Sequence, residues 1–69
     1  MYKIATTNNH YDHSSTLTKN TKREALTMAR RMVRDLHTNH GYDLTQIVSH
    51  DDAAWATDDH NILITVRAA

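Results

Sequence analysis

The chain has 69 residues, enough for a single small domain (residues 1–69) with a modest core and no room for a large enclosed active site. It has no cysteine, so its stability has to come from packing, self-association or a metal held by histidine. Acidic and basic residues balance at eight each. No apolar run is long enough to cross a membrane and the first residues are not a secretory signal, so we expect a cytoplasmic protein that does not bind membranes.

The charges are unevenly distributed along the chain. Residues 1–42 carry seven Lys and Arg against three Asp and Glu, whereas residues 43–69 carry one Arg against five Asp. Such segregation is typical of an electrostatic binding surface, but it also arises when opposite charges simply neighbour one another in a compact fold. The second interpretation is the simpler one for a chain of zero formal charge.

The chain opens with a strand pattern. In "MYKIAT" (1–6), Tyr2 and Ile4 lie on one side and Lys3 and Ala5 on the other. A loop at 8–13 follows, and "STLT" (15–18) then predicts a short returning strand. We therefore expect a hairpin at the start of the chain.

The strongest pattern is that of an amphipathic helix from Lys22 to His37 or beyond. Thr21 followed by Glu24 is typical of a capping box at a helix start, and Gly41 can adopt the left-handed conformation that ends a helix. Apolar residues recur with helical spacing and share one face: Ala25, Leu26, Met28, Ala29, Met32, Val33 and Leu36. This face predicts that the helix packs on a sheet.

The succession of strand, returning strand and "NTKREA" (20–25) opening an amphipathic helix is similar to the start of several small bacterial and phage families, among them HicB-type antitoxins and integrase arm-binding domains. The resemblance covers the first 36 residues and rests on the capped helix start. It implies an accessory protein of bacterial or phage type that works by binding.

Three further strand patterns follow the helix. "LTQIVS" (44–49) and "AAWAT" (53–57) are short, and "NILITVRA" (61–68) alternates strictly, with "DDHN" (58–61) as a hairpin turn before it. The simplest assembly is an α+β fold: a small antiparallel sheet of three to five strands with one amphipathic helix packed on one face, in the order β-β-α-β-(β)-β. The expected core contains the apolar helix face together with Tyr2, Ile4, Leu17, Leu44, Val48 or Ile47, Trp55, Ile62, Ile64 and Val66.

The sheet face that the helix leaves open is a candidate binding surface. It would present Leu63, Thr65 and Arg67, while Trp55 either fills the core or anchors a partner. A protein partner or a second copy of the chain could cover this face or pair with an edge strand. We expect a non-enzymatic interaction domain that binds a protein partner or itself.

Two His-x-x-His pairs raise the alternative of a metal site. His10 and His13 lie in the first loop and His37 and His40 at the helix end, and a hairpin followed by a helix brings both places to the same end of the fold. Four imidazoles could hold zinc. Histidines in polar loops and at a helix C-terminus also occur without a metal, so we expect no resident cofactor.

A further alternative is nucleic-acid binding. Arg23, Arg30, Arg31 and Arg34 lie on the exposed side of the predicted helix, where they can contact phosphates. A chain with no net positive charge would bind nucleic acid weakly. The same arginines are compatible with a solvated face on which Arg31 and Asp35 form an ion pair.

No pattern predicts catalysis. Ser, His and Asp are adjacent in "DHSS" (12–15) and "SHDD" (49–52), but a catalytic triad is defined by geometry in space and not by adjacency in sequence. There is no glycine-rich phosphate loop and no His-Glu-x-x-His. We predict no catalytic residues, and the remaining enzymatic alternative is a small nuclease with His13 or His37 as base.

Overall fold

One α-helix packs on one face of a five-stranded antiparallel sheet in a computed structural model, which describes residues 1–48 and 50–69. The elements are β1 (Tyr2–Asn8), β2 (His13–Lys19), α1 (Lys22–His40), β3 (Thr45–Gln46), β4 (Ala53–Ala56) and β5 (Ile62–Ala68). The strand order is β2-β1-β5-β4-β3, so the first and last long strands pair at the centre of the sheet. The predicted α+β fold is confirmed.

Helix α1 begins at a threonine cap and ends at a glycine. The Thr21 hydroxyl accepts a hydrogen bond from the Glu24 N–H at 3.2 Å and donates one to the Glu24 carboxylate at 3.2 Å. Gly41 has a φ of 72°, and its N–H donates to the His37 carbonyl at 3.0 Å. The helix therefore has its predicted start and stop. No helix in the described part of the chain has the length and apolar character needed to cross a membrane.

The core lies between α1 and the inner strands. Its buried cluster consists of Ile4, Ala25, Ala29, Ala53, Trp55, Ile64 and Val66. The two helix alanines are completely buried, so the helix backbone lies close to the sheet. Each fully buried large apolar side chain contributes about 1.5–3 kcal/mol to the stability of a core. The helix is thereby fixed over the centre of the sheet, and its opposite side faces solvent.

Leu17 was expected in the core and is exposed, and of the alternatives Val48 and Ile47 the first is exposed and the second half-buried. Leu17 is 45% exposed because β2 is the outermost strand, with no strand flanking it on its outer side among the described residues. Val48 is fully exposed because it follows the short strand β3, beyond the end of the pairing with β4. The strand predicted over 44–49 is reduced to Thr45–Gln46, and residue 49 lies outside the described residues.

Candidate functional site

Strand β2 forms a long free edge of the sheet. It pairs with β1 on one side in an unbroken register, and no described strand pairs with its other side. It contains no proline and no bulge, and its charged residue, Lys19, lies at its very end. Proline, bulges and charged residues within the strand usually protect an edge strand from further pairing, so the edge of β2 is unprotected. The opposite edge, β3, is protected by its length of two residues.

The hydrogen bonds of the sheet identify the backbone groups that β2 leaves unpaired. The Asn9 N–H donates to the Asn61 carbonyl at 2.8 Å and the Ala69 N–H donates to the Met1 carbonyl at 3.0 Å. The backbone N–H and C=O groups of the odd-numbered residues of β1 therefore bond to β5, and those of the even-numbered residues bond to β2. The β2 residues opposite these even-numbered residues are odd-numbered, so their backbone groups point toward β1. It follows that the outward-pointing N–H and C=O groups of β2 belong to Ser14, Thr16 and Thr18.

An exposed apolar side chain, Leu17, lies beside the unpaired backbone groups of β2. Leu17 lies opposite Ile4 and so is on the helix side of β2, where 45% of it is exposed. Further along the same side, a surface groove of about 320 Å³ separates the end of β2 from α1 and is lined by Lys19, Arg23, Glu24, Thr27, Met28 and Arg31. An additional strand at this edge would therefore cover both the unpaired backbone groups of β2 and the exposed side chain of Leu17.

The four arginines predicted to contact phosphates, here called the basic helix face, all lie exposed on α1: Arg23, Arg30, Arg31 and Arg34. Within residues 1–48 and 50–69, no carboxylate lies within ion-pair distance of any of them. The ion pair expected between Arg31 and Asp35 is accordingly not formed, although both residues line a second groove of about 450 Å³ with Thr27, Arg30 and Arg34. The basic helix face thus leaves its guanidinium groups available.

Two histidines contact Tyr42 at the end of the fold where the β1–β2 turn lies near the C-terminus of α1. The ring of His10 stacks on Tyr42 at a centroid distance of 5.9 Å, and the ring of His40 does so at 6.1 Å. His37 is engaged separately, since its Nδ1 lies 2.8 Å from the Asp43 carboxylate. The predicted proximity of the first loop to the helix end is confirmed for His10 and His40, and a tyrosine lies between them.

The four histidines of the predicted metal site do not form one ligand group. His13 is the first residue of β2, and His37 faces Asp43. In the described part of the chain, no three His, Cys, Asp or Glu side chains are placed to hold a metal ion together. Among residues 1–48 and 50–69, the two His-x-x-His pairs therefore do not come together as a ligand group.

Hydrogen bonds shift two pKa values at this end of the fold. A hydrogen bond with Tyr11 is the main cause that raises the pKa of Tyr42, and desolvation and the charge of Tyr11 act in the same direction. In the turn before β5, the Asp59 carboxylate accepts three hydrogen bonds. The donors are the Thr57 hydroxyl at 2.7 Å, the backbone N–H of Asn61 at 3.1 Å and the side-chain amide of Asn61 at 2.9 Å. These bonds lower the pKa of Asp59, the one from Thr57 most strongly.

Three of the four predicted partner-binding residues share the open face of the sheet. Leu63 and Thr65 are half-buried there, and Arg67 is exposed with its guanidinium 3.9 Å from Asp51. Trp55 lies on the other face, in the core, and is only 6% exposed. Its expected core role is confirmed, and a partner on the open face would not contact it.

Sequence reasoning does not single out the edge of β2. Alternation assigns Leu17 to the core, and alternation alone does not show that a strand is outermost. A signal is nevertheless present, because "HSSTLTK" (13–19) contains a single large apolar residue, which is typical of an exposed edge strand and not of a central one.

Comparisons with protein-family models, with curated proteins and with solved structures found no match to this chain. Its candidate sites are therefore those that its own geometry provides, namely the edge of β2 and the basic helix face.

Proposed function

We propose that the chain is a small non-enzymatic accessory domain of bacterial or phage type that acts in the cytoplasm by self-association through the outer edge of β2. Two copies would align their β2 strands antiparallel and join their sheets into one. The observation that carries the proposal is the unprotected seven-residue edge, whose outward-pointing backbone groups belong to Ser14, Thr16 and Thr18.

The edge is self-complementary about Thr16. In a two-fold arrangement centred on this residue, Ser14 of each copy lies opposite Thr18 of the other, and each of these residues donates and accepts a backbone hydrogen bond. Each such bond contributes about 0.5–1.5 kcal/mol net. Small and β-branched side chains at the paired positions allow the two strands to approach closely.

The same register would cover Leu17. Its side chain lies opposite Ser15 of the second copy and diagonally across from the second Leu17, on the helix side of both sheets. Because 45% of Leu17 is exposed, covering it contributes on the order of 1 kcal/mol per copy. The groove beside this edge carries Lys19, Arg23 and Arg31 with Glu24, so a second copy meets a mainly positive flank there.

Sedimentation velocity over a concentration series tests the proposal. We expect the wild-type chain to pass from monomer to dimer as its concentration rises. Thr16→Pro removes an outward-pointing N–H and leaves the bonds to β1 intact, and Leu17→Lys places a charge beside the paired edge. Both variants are expected to stay monomeric at concentrations where the wild-type chain is dimeric.

Thr65→Lys is the matched control, because it adds the same side chain to the open face of the sheet. It is expected to dimerise like the wild-type chain. A wild-type chain that remains monomeric throughout, or a dimer that Thr65→Lys abolishes and Leu17→Lys leaves intact, would refute association through β2. The second result would point to the open face instead.

A further inference from the structure

The basic helix face carries four exposed arginines although the molecule is neutral overall. Lys19 borders the same groove as Arg23 and Arg31, and among the described residues that line the two grooves the acidic ones are Glu24 and Asp35. Two other acidic residues lie in ion pairs: Asp52 with Lys22 at the start of α1, and Asp51 with Arg67 of β5. The charge is therefore segregated, and a polyanion that approaches the molecule would be oriented toward α1.

The guanidinium groups of this face form no ion pair in the part of the chain that the structure describes. The side of α1 that packs in the core is marked by Ala25 and Ala29, which are completely buried, whereas the arginines are exposed. Arginine is also the side chain best suited to bidentate contact with phosphate oxygens.

From this geometry we propose that the basic helix face binds the phosphate backbone of duplex DNA. Arg23 and Arg34 are separated by about 16 Å along a rigid helix, at about 1.5 Å per residue. Arg23, Arg30 and Arg34 lie within about 40° of one another around the helix axis. Phosphates of one B-DNA strand follow each other every ~3.4 Å along the duplex axis, so a straight row of this length spans several of them.

The composition of the face favours a duplex over other polyanions. Proteins bind single strands by stacking the bases on aromatic rings, and none of the described residues that line the two grooves is aromatic. Binding to an anionic membrane surface requires large apolar side chains beside the charges. In the described chain the exposed large apolar residues are Met1, Tyr11, Leu17 and Val48, and none of them belongs to α1.

Fluorescence anisotropy with a short labelled DNA duplex tests the proposal. With four phosphate contacts, we expect the affinity to fall roughly 100-fold between about 50 and 200 mM salt. The double variant Arg30→Glu, Arg34→Glu is expected to lose binding at the lower salt concentration. Both residues are exposed, so circular dichroism of this variant should match that of the wild-type chain.

The matched control is Lys3→Glu, Arg67→Glu, which makes the same change in net charge on the open face of the sheet. It is expected to bind the duplex with close to wild-type affinity. Three results would overturn the proposal: no binding of the wild-type chain at about 50 mM salt, equal loss of binding in the two double variants, or tighter binding to a single strand of the same sequence than to the duplex.

DNA binding through α1 goes beyond self-association through β2, and the two can fail separately. Arg30 and Arg34 do not line the groove beside β2. We therefore expect the Arg30→Glu, Arg34→Glu variant to sediment like the wild-type chain, and Thr16→Pro to keep a salt-dependent affinity for the duplex.

Discussion

Asp59 fixes the turn between β4 and β5 although it is exposed. Its carboxylate accepts three hydrogen bonds from Thr57 and Asn61, and the turn also contains His60 with a positive φ of 58°. Backbone in this region is strained for a residue with a Cβ. The hydrogen bonds of Asp59 hold the neighbouring backbone in place and so help the turn to retain His60 in that conformation.

The low pKa of Asp59 makes this contribution dependent on pH. A carboxyl whose pKa is lower in the folded than in the unfolded chain stabilises the fold at pH values above its unfolded pKa, and the contribution is lost as the pH falls through the folded pKa. We expect Asp59→Ala to lower the melting temperature at neutral pH and to reduce the further loss on acidification. Thermal unfolding at several pH values checks this, with Asp58→Ala as a control that leaves these hydrogen bonds in place. Equal effects of the two substitutions would contradict it.

Thr6 carries a buried hydroxyl oxygen without a hydrogen-bond partner among the described residues. An unsatisfied buried polar group costs about 1–3 kcal/mol. Thr6→Val keeps the shape of the side chain and removes the hydroxyl, so we expect the free energy of unfolding in urea to rise by about 1 kcal/mol. Thr7→Val, on the open face, is the control and should change little. A Thr6→Val variant that is less stable than the wild-type chain would show that the hydroxyl makes a favourable contact.

Helix α1 ends where Gly41 takes the left-handed conformation. An added Cβ at this position would meet no atom within 4 Å, so substitution costs only the backbone conformation. Gly41→Ala is therefore expected to lower the free energy of unfolding by about 1 kcal/mol, and Gly41→Asn by less, because asparagine tolerates this conformation. Urea unfolding of the two variants measures the difference. Equal stability of Gly41→Ala and the wild-type chain would mean that the helix end frays without cost.

All the predicted elements are present, but those with strong local patterns were predicted over most of their length, whereas β3 was predicted too long. The helix has a cap, an apolar face and a terminating glycine, all of which are local, and the pattern at 61–68 alternates clearly over its length. Strand β3 is different, because its two residues are held only by pairing with β4, and no local pattern limits the strand to Thr45–Gln46. The position of Leu17 depends on strand order, which is set by contacts between residues far apart in sequence.

The two candidate sites differ in how far the sequence predicts them. The four arginines could be identified as one exposed face because helical spacing is a local property. The free edge of β2 could not, since it exists only because β5 occupies the other side of β1. The sequence predicted that His10 and His40 lie near each other. It did not predict that both rings stack on Tyr42, because the position of Tyr42 depends on how the chain leaves the helix after Gly41.

In the whole molecule the two proposed binding surfaces are adjacent but distinct. The edge of β2 offers backbone groups and Leu17, whereas the exposed side of α1 offers guanidinium groups. Self-association through β2 would extend the sheet sideways and place the two helices on the same side of it. The two basic helix faces would then form a single, longer positive surface, and dimerisation would strengthen DNA binding through simultaneous contact of both copies.

Amide hydrogen exchange along β2, measured at low and high protein concentration, tests self-association through this edge most directly. The amides of Ser15 and Leu17 bond to β1, so we expect them to be protected at both concentrations. The amides of Ser14, Thr16 and Thr18 should exchange rapidly in dilute solution and become protected in concentrated solution. If these three amides exchange rapidly at every concentration while Ser15 and Leu17 stay protected, the edge of β2 is not the interface.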